Sequence, residues 1–127
     1  HALPILKKSS SPAKIINVAS VKGTYSAVGH VAYASSKAAL INLTTGLAKE
    51  LSPGIMVNSI SPGFVSTDMT RKTWTQRIKK QANSILLKRV AKPDEIANVI
   101  LFLCGDKCSY ITGQNIIVDG GFGIKNE

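Results

Sequence analysis

Tyr33 and Lys37 lie one helical turn apart, so they project from the same face of any helix that carries them. A phenol titrates at about 10 in water, a poor match for proton transfer near neutrality. An ammonium held beside it favours the phenolate and moves it toward the range useful in general acid–base work. A serine hydroxyl such as that of Ser20 can hydrogen-bond the same substrate oxygen. Together the three side chains suit adding a proton to, or removing one from, an alcohol or carbonyl oxygen. Singly, Ser20 would read as a loop or cap serine and Lys37 as a solvated helix lysine. Only the set carries the chemistry.

Such a set works only if the chain brings it to one place. Leu3 to Lys8 reads as the end of a helix, broken by Ser9-Ser10-Ser11-Pro12. Lys14 to Ser20 is an apolar strand-type run, and Val21 to Val31 a loop bearing Gly, Ser and His. A helix is expected from about Ala32 to Leu51, stopped by Ser52-Pro53-Gly54. Ile55 to Ile60 reads as a second strand, ended by Ser61-Pro62-Gly63. Its apolar residues fall on both faces, which implies a sheet covered on both sides. Ser66 to about Asn83 is polar and weakly helical. Pro93-Asp94-Glu95 opens a further helix whose apolar face is Ile96, Val99, Ile100 and Leu103. Asn115 to Val118 is the third strand.

This alternation predicts an α/β fold with three parallel strands and flanking helices, joined by crossovers. In such sheets ligands bind beyond the carboxyl ends of the strands. Ser20, the Ser61-Pro62-Gly63 turn and the start of the Tyr33 helix all fall on that rim. The first strand, apolar on both faces, would leave an edge open and is expected to pair with further sheet.

Composition narrows the partners. The chain has 127 residues, 44% hydrophobic and 18% charged, enough for one domain and too little for two. The longest uncharged apolar stretch, Ile96 to Cys104, is far too short to span a bilayer, so no membrane role is expected. Cys104 and Cys108 are expected in one helix as packing residues in a reducing compartment, with no metal site. The net charge is +9, and Arg71, Lys72, Arg77, Lys79, Lys80, Lys88, Arg89 and Lys92 form a run with no acid among them. No recognition motif or aromatic platform accompanies that charge, so no nucleic-acid partner is expected. Its balancing acids are expected outside this sequence.

Five blocks in collinear order resemble the short-chain dehydrogenase/reductase family. They are NVAS (Asn17 to Ser20), YASSK (Tyr33 to Lys37), VNSISPGFVSTDM (Val57 to Met69), RVAKPDEIANVILFL (Arg89 to Leu103) and YITGQNIIVDGG (Tyr110 to Gly121). The resemblance implies a Rossmann-type doubly wound sheet and a nicotinamide-dependent oxidoreductase. It implies Tyr33 as proton donor or acceptor, and Lys37 as the residue that holds the nicotinamide ribose and tunes Tyr33. Ser20 would orient and polarise the substrate carbonyl. Pro62, Gly63, Val65 and Thr67 resemble the turn that packs on the nicotinamide. Asn58 resembles a family asparagine and reads as structural, His30 as a loop residue, and Trp74 as part of a lid or simple packing. A homo-oligomer, dimer or tetramer, is implied, for which Ala38, Ala39, Leu43 and Leu47 could supply a face. Cytoplasmic localisation is expected.

The sequence contains no Thr-Gly-x-x-x-Gly-x-Gly turn to cradle a pyrophosphate at a helix N-terminus, and no Asn-Asn-Ala-Gly segment. The chain is therefore expected to be the C-terminal portion of a single NAD(P)-binding domain, its phosphate-binding half and a fourth catalytic residue lying upstream of His1. Alone, it is expected to bind nicotinamide cofactors poorly. In texture it resembles 3-oxoacyl-[acyl-carrier-protein] reductases, which implies NADP(H) rather than NAD(H), a 3-oxoacyl thioester substrate, and an acidic carrier protein as a possible docking partner. Leu51-Ser52-Pro53-Gly54 departs from those reductases, which often carry an arginine there. Sugar, steroid or simple-alcohol dehydrogenases share the same motifs. A non-catalytic truncated chain, or a half-domain that needs a partner, is the reading from a different class.

Overall fold

Strand formation follows the β-branched runs. AKIINV at Ala13–Val18 (β1), IMVNSISP at Ile55–Pro62 (β2) and NIIV at Asn115–Val118 (β3) are the strands. A computed structural model of the chain describes residues 1–67 and 80–124. The three strands form one parallel sheet in the order β1-β2-β3, with Ala13 opposite Ile55 and Ser59 opposite Asn115. The described residues also hold helices α1 (Leu3–Leu6), α2 (Val31–Leu51) and α3 (Pro93–Cys104). The expected α/β fold is present, and among the described residues β1 lies at the edge of the sheet.

Alternation along the strands divides the faces. Ile55 and Val57 pack on Ala48 of α2, joined by Leu6, Ala13, Ile15, Leu47 and Leu51. On that face Asn17 donates to the Thr44 hydroxyl at 2.9 Å. The opposite face carries Lys14, whose ammonium bonds the Cys104 carbonyl at 3.2 Å and also the Gly105 carbonyl, at the C-terminus of α3. A cation there also complements the helix dipole. Ile60 and Leu103 are fully buried. Leu47 belongs to this internal core, whereas Ala38, Ala39 and Leu43 are exposed.

Three expectations need correction. β2 runs on through Pro62 instead of stopping at Ile60. β1 has already ended at Val18, opposite Ile60, so the missing N–H of Pro62 has no strand waiting for it on that side. Cys104 and Cys108 do not share a helix. Gly105 adopts an extended backbone (φ −82°, ψ 171°), and Cys108 lies in a separate 3₁₀ turn, Asp106–Cys108. Arg89 finds its acid within the chain, in Glu95, instead of in sequence outside it. Arg71, Lys72, Arg77 and Lys79 of the basic run, and Trp74, lie outside the described residues. Among the described residues no helix is long and apolar enough to cross a membrane.

Asn58 is a structural link. Its amide donates to the Ile111 carbonyl at 2.8 Å, and its oxygen accepts from the Gln114 backbone N–H at 3.0 Å. The residue is buried, so these bonds fix the approach to β3 with no water to replace them. Asn58→Ala should strand a buried donor and acceptor and lower stability by about 2–4 kcal/mol in urea unfolding of the full-length protein.

The entry to α3 depends on a bidentate pair. Arg89 donates to Glu95 at 2.6 and 2.7 Å, and the Lys92 backbone N–H donates to the same carboxylate at 2.8 Å. Chiefly through the Arg89 hydrogen bonds, then that of Lys92, the Glu95 carboxyl is lowered from 4.5 to about 2. A depressed carboxyl contributes stability above its unfolded value and loses it as pH falls through the folded one. The melting-temperature difference between wild type and Glu95→Gln should therefore be constant above pH 4.5 and close as pH approaches 2. A difference independent of pH across that window would refute the pairing.

Candidate active site

The rim at the carboxyl ends of β1 and β2 gathers the residues with chemical potential. β1 closes at Val18, while the Ala19 N–H still bonds the Ile60 carbonyl at 2.8 Å. The chain then turns into a short 3₁₀ segment, Val21–Gly23, with Ser20 as its N-cap. Ser20 is thus just beyond the strand and not its last residue. It is 8% exposed, and its hydroxyl oxygen accepts from the Lys22 backbone N–H at 3.2 Å. That bond uses the oxygen as acceptor and leaves the hydroxyl proton available to donate.

Helix α2 begins at Val31, with His30 in the cap position. The His30 ring nitrogen Nδ1 lies 3.0 Å from the Val28 carbonyl, so this side chain serves the loop. Tyr33 and Lys37 emerge from the first turns of the helix on one face. Tyr33 is 47% exposed, and among the described residues nothing bonds its hydroxyl. The Lys37 ammonium lies 5.8 Å from the centroid of the Tyr33 ring and donates to the Val18 carbonyl at 3.0 Å. One of its three N–H bonds is used there, which leaves two for other acceptors. Lys37 therefore ties the start of α2 to the mouth of β1, two residues from Ser20. The structure brings Tyr33 and Lys37 together and anchors Lys37 beside the strand end that leads into Ser20.

The Pro62 to Thr67 segment forms the second wall. The Gly63 N–H donates to the Val118 carbonyl at 3.0 Å. A Cβ at Gly63 would lie 2.8 Å from both Cα and Cβ of Asp119, so only glycine allows this close crossing. Val65 bridges Ala91 in parallel, through Ser66 N–H to the Ala91 carbonyl at 2.8 Å and Ala91 N–H to the Phe64 carbonyl at 2.9 Å. Phe64 packs edge-on against Phe122 with ring centroids 5.1 Å apart. Backbone hydrogen bonds thus hold the segment at both ends, and Thr67 stands exposed at its tip.

Sequence reasoning passed over two features of this region. Gly23 meets the backbone of α2, a contact visible only in three dimensions. Tyr25 lies against Phe122, ring centroids 6.0 Å apart and planes tilted by 40°, with the Lys22 ammonium 4.9 Å from the Tyr25 ring. The Tyr25 hydroxyl is enclosed without a partner among the described residues; burial, and then the Asp119 charge, push it up.

A tyrosine and a lysine one turn apart thus stand at the mouth of β1, with Ser20 in the turn that follows the strand, on a parallel α/β rim. A family model described as enoyl-(acyl carrier protein) reductase matches residues 1–123. The 3-oxoacyl-[acyl-carrier-protein] reductase of Aquifex aeolicus is 47% identical over 109 residues, 85% of this chain and 44% of that protein. An NAD-dependent glycerol dehydrogenase of Listeria innocua is 40% identical over 114 residues, 88% of this chain and 45% of that one. Among solved structures, a short-chain dehydrogenase/reductase (glucose/ribitol dehydrogenase) from Brucella melitensis superposes with a TM-score of 0.83 at 37% identity, covering 88% of this chain and 46% of the other. 4-Hydroxyisoleucine dehydrogenase complexed with NADH gives 0.85 at 34%, covering 91% and 49%. The chain belongs to the short-chain dehydrogenase/reductase family, and its sheet is of the Rossmann type. It spans about half the length of the curated relatives it matches.

Proposed function

We propose that this chain is the C-terminal, catalytic portion of an NAD(P)-dependent oxidoreductase that reduces a 3-oxoacyl thioester to the 3-hydroxyacyl form, with NADPH preferred over NADH. The observation that carries the reading is the Lys37 ammonium, 5.8 Å from the Tyr33 ring and bonded to the carbonyl of Val18, two residues before Ser20. The 47% identity to a 3-oxoacyl-[acyl-carrier-protein] reductase supports the substrate. An acyl-carrier partner, which that relative's description names, and a homo-oligomer belong to the same proposal. The phosphate-binding half of the domain belongs, on this reading, to the sequence preceding this chain.

A bound nicotinamide cofactor supplies the hydride. The chain supplies position and a proton. Lys37, with two N–H bonds left, holds the ribose hydroxyls. Pro62, Gly63, Val65 and Thr67 form the wall against which the nicotinamide packs. Ser20 donates its free hydroxyl proton in a hydrogen bond to the substrate carbonyl oxygen. Tyr33 delivers a proton to that oxygen as the carbonyl carbon is reduced, so an alcohol leaves with one hydride and one proton added.

The glycerol dehydrogenase relative favours a second reading, oxidation of a small alcohol with NAD. The two separate in one experiment. Full-length protein is assayed by nicotinamide absorbance with NADPH or NADH and a 3-oxoacyl thioester, and with NAD and polyols or simple secondary alcohols. A kcat/KM at least tenfold higher for the thioester with NADPH supports the acyl reductase. The reverse order supports the alcohol dehydrogenase, and turnover of neither overturns both.

A further inference from the structure

The turn that follows Ser20 lies against helix α2 at a glycine, Gly23. A Cβ at Gly23 would lie 2.8 Å from the Lys37 carbonyl carbon, 2.9 Å from the Ala38 nitrogen and 2.8 Å from Ile41 Cδ1. Two of these three atoms are main chain, well inside a 21-residue helix, and cannot yield as a flexible side chain can. The turn that begins at Ser20 therefore rests directly on the backbone of Lys37. The same turn closes on itself through Gly23 N–H to the Ser20 carbonyl at 2.8 Å and the Thr24 hydroxyl to the Val21 carbonyl at 2.7 Å. Its Lys22 N–H orients the Ser20 hydroxyl. The Lys37 side chain reaches back to Val18 on the strand that leads into the turn. Strand end, serine turn and helix make a closed ring of contacts, and Gly23 is the point where two backbones meet without a side chain between them.

We infer that Gly23 is a positioning residue, one that sets the Ser20 hydroxyl in register with Tyr33 and Lys37. This rests on the proposed oxidoreductase function and extends it to a residue outside the reacting groups. Any side chain at 23 must lift the turn off α2, and Ser20 moves with it. A displacement near 1 Å in a catalytic constellation lowers turnover by about a hundredfold.

The test uses the full-length protein and measures kcat, KM for the carbonyl substrate, and cofactor Kd by nicotinamide fluorescence. Gly23→Ala should lower kcat by about ten- to a hundredfold, with cofactor Kd changed less than about twofold. Because Gly23 acts through Ser20, the double variant Ser20→Ala, Gly23→Ala should be no slower than Ser20→Ala alone. Losses that multiply, or a wild-type kcat in Gly23→Ala, would overturn the inference. If Gly23→Ala does not fold, Thr24→Val carries the test, since it removes the hydroxyl bond to the Val21 carbonyl and keeps the backbone bonds of the turn. It should lower kcat about three- to tenfold and likewise fail to multiply with Ser20→Ala; an unchanged kcat overturns the inference. A wild-type protein that turns over no carbonyl or alcohol sinks the proposed function and this inference together. An active wild type with an equally active Gly23→Ala sinks this inference alone.

Discussion

Tyr33→Phe in the full-length protein should lower kcat for carbonyl reduction by about 10²–10⁴-fold, the range that a positioned acid–base group supplies. The substitution removes one oxygen and leaves the ring. The ring faces the Lys37 ammonium at 5.8 Å, so the lysine keeps that neighbour and its bond to Val18. Cofactor Kd should therefore stay within about twofold, and the melting temperature should hardly move, because Tyr33 is 47% exposed and its hydroxyl satisfies no buried partner among the described residues. Stopped-flow or steady-state turnover together with a cofactor titration checks both halves. Loss of turnover with a parallel loss of cofactor affinity would mean that Tyr33 serves binding more than proton transfer, and substantial residual turnover would remove it from the acid–base role.

Lys37→Met should fail in a different way. The ammonium joins the mouth of β1 to α2 through the Val18 carbonyl and keeps two N–H bonds for a ligand. A charge-assisted hydrogen bond is worth about 1.5–3 kcal/mol, which corresponds to about ten- to a hundredfold in affinity. Cofactor Kd should weaken by that factor, and kcat should fall as well because Tyr33 loses its cationic neighbour. The two variants therefore separate in a titration: cofactor affinity nearly intact in Tyr33→Phe, weakened in Lys37→Met. Equal cofactor affinities in the two would contradict the division of labour between these residues. Lys37→Arg keeps the charge, but its planar fork cannot take up the compact geometry at Val18, so it should rescue affinity only in part.

The parts of this site legible in the sequence are those governed by local rules. Spacing alone puts Tyr33 and Lys37 on one face, because helical periodicity is a property of the chain itself. β3 was readable to its ends, since Asn115 and Asp119 bracket a run of β-branched residues. Strand ends were harder where tertiary pairing decides them. β2 extends to Pro62 because β3 pairs with Ser61 and Pro62 after β1 has stopped, and nothing in ISP announces a partner on one side only. Cys104 and Cys108 look like one helical face until Gly105 turns extended. Gly23 is the position where sequence says least. Its sequence neighbours mark it as an ordinary loop glycine, and its role comes from a main-chain contact with Lys37, fourteen residues onward. Arg89 and Glu95, six apart, belong in sequence to a basic run and a helix start, and only the fold turns them into a bidentate pair.

The central claim is that this rim directs hydride and proton onto one carbonyl group. It is tested most directly by the mass of the alcohol formed when full-length protein reduces a 3-oxoacyl thioester with a nicotinamide cofactor deuterated at its transferring carbon. One deuterium bound to the reduced carbon, and none at that carbon when unlabelled cofactor is used in heavy water, is the predicted result. A product without label from the cofactor, or with label at that carbon from solvent, would contradict the account.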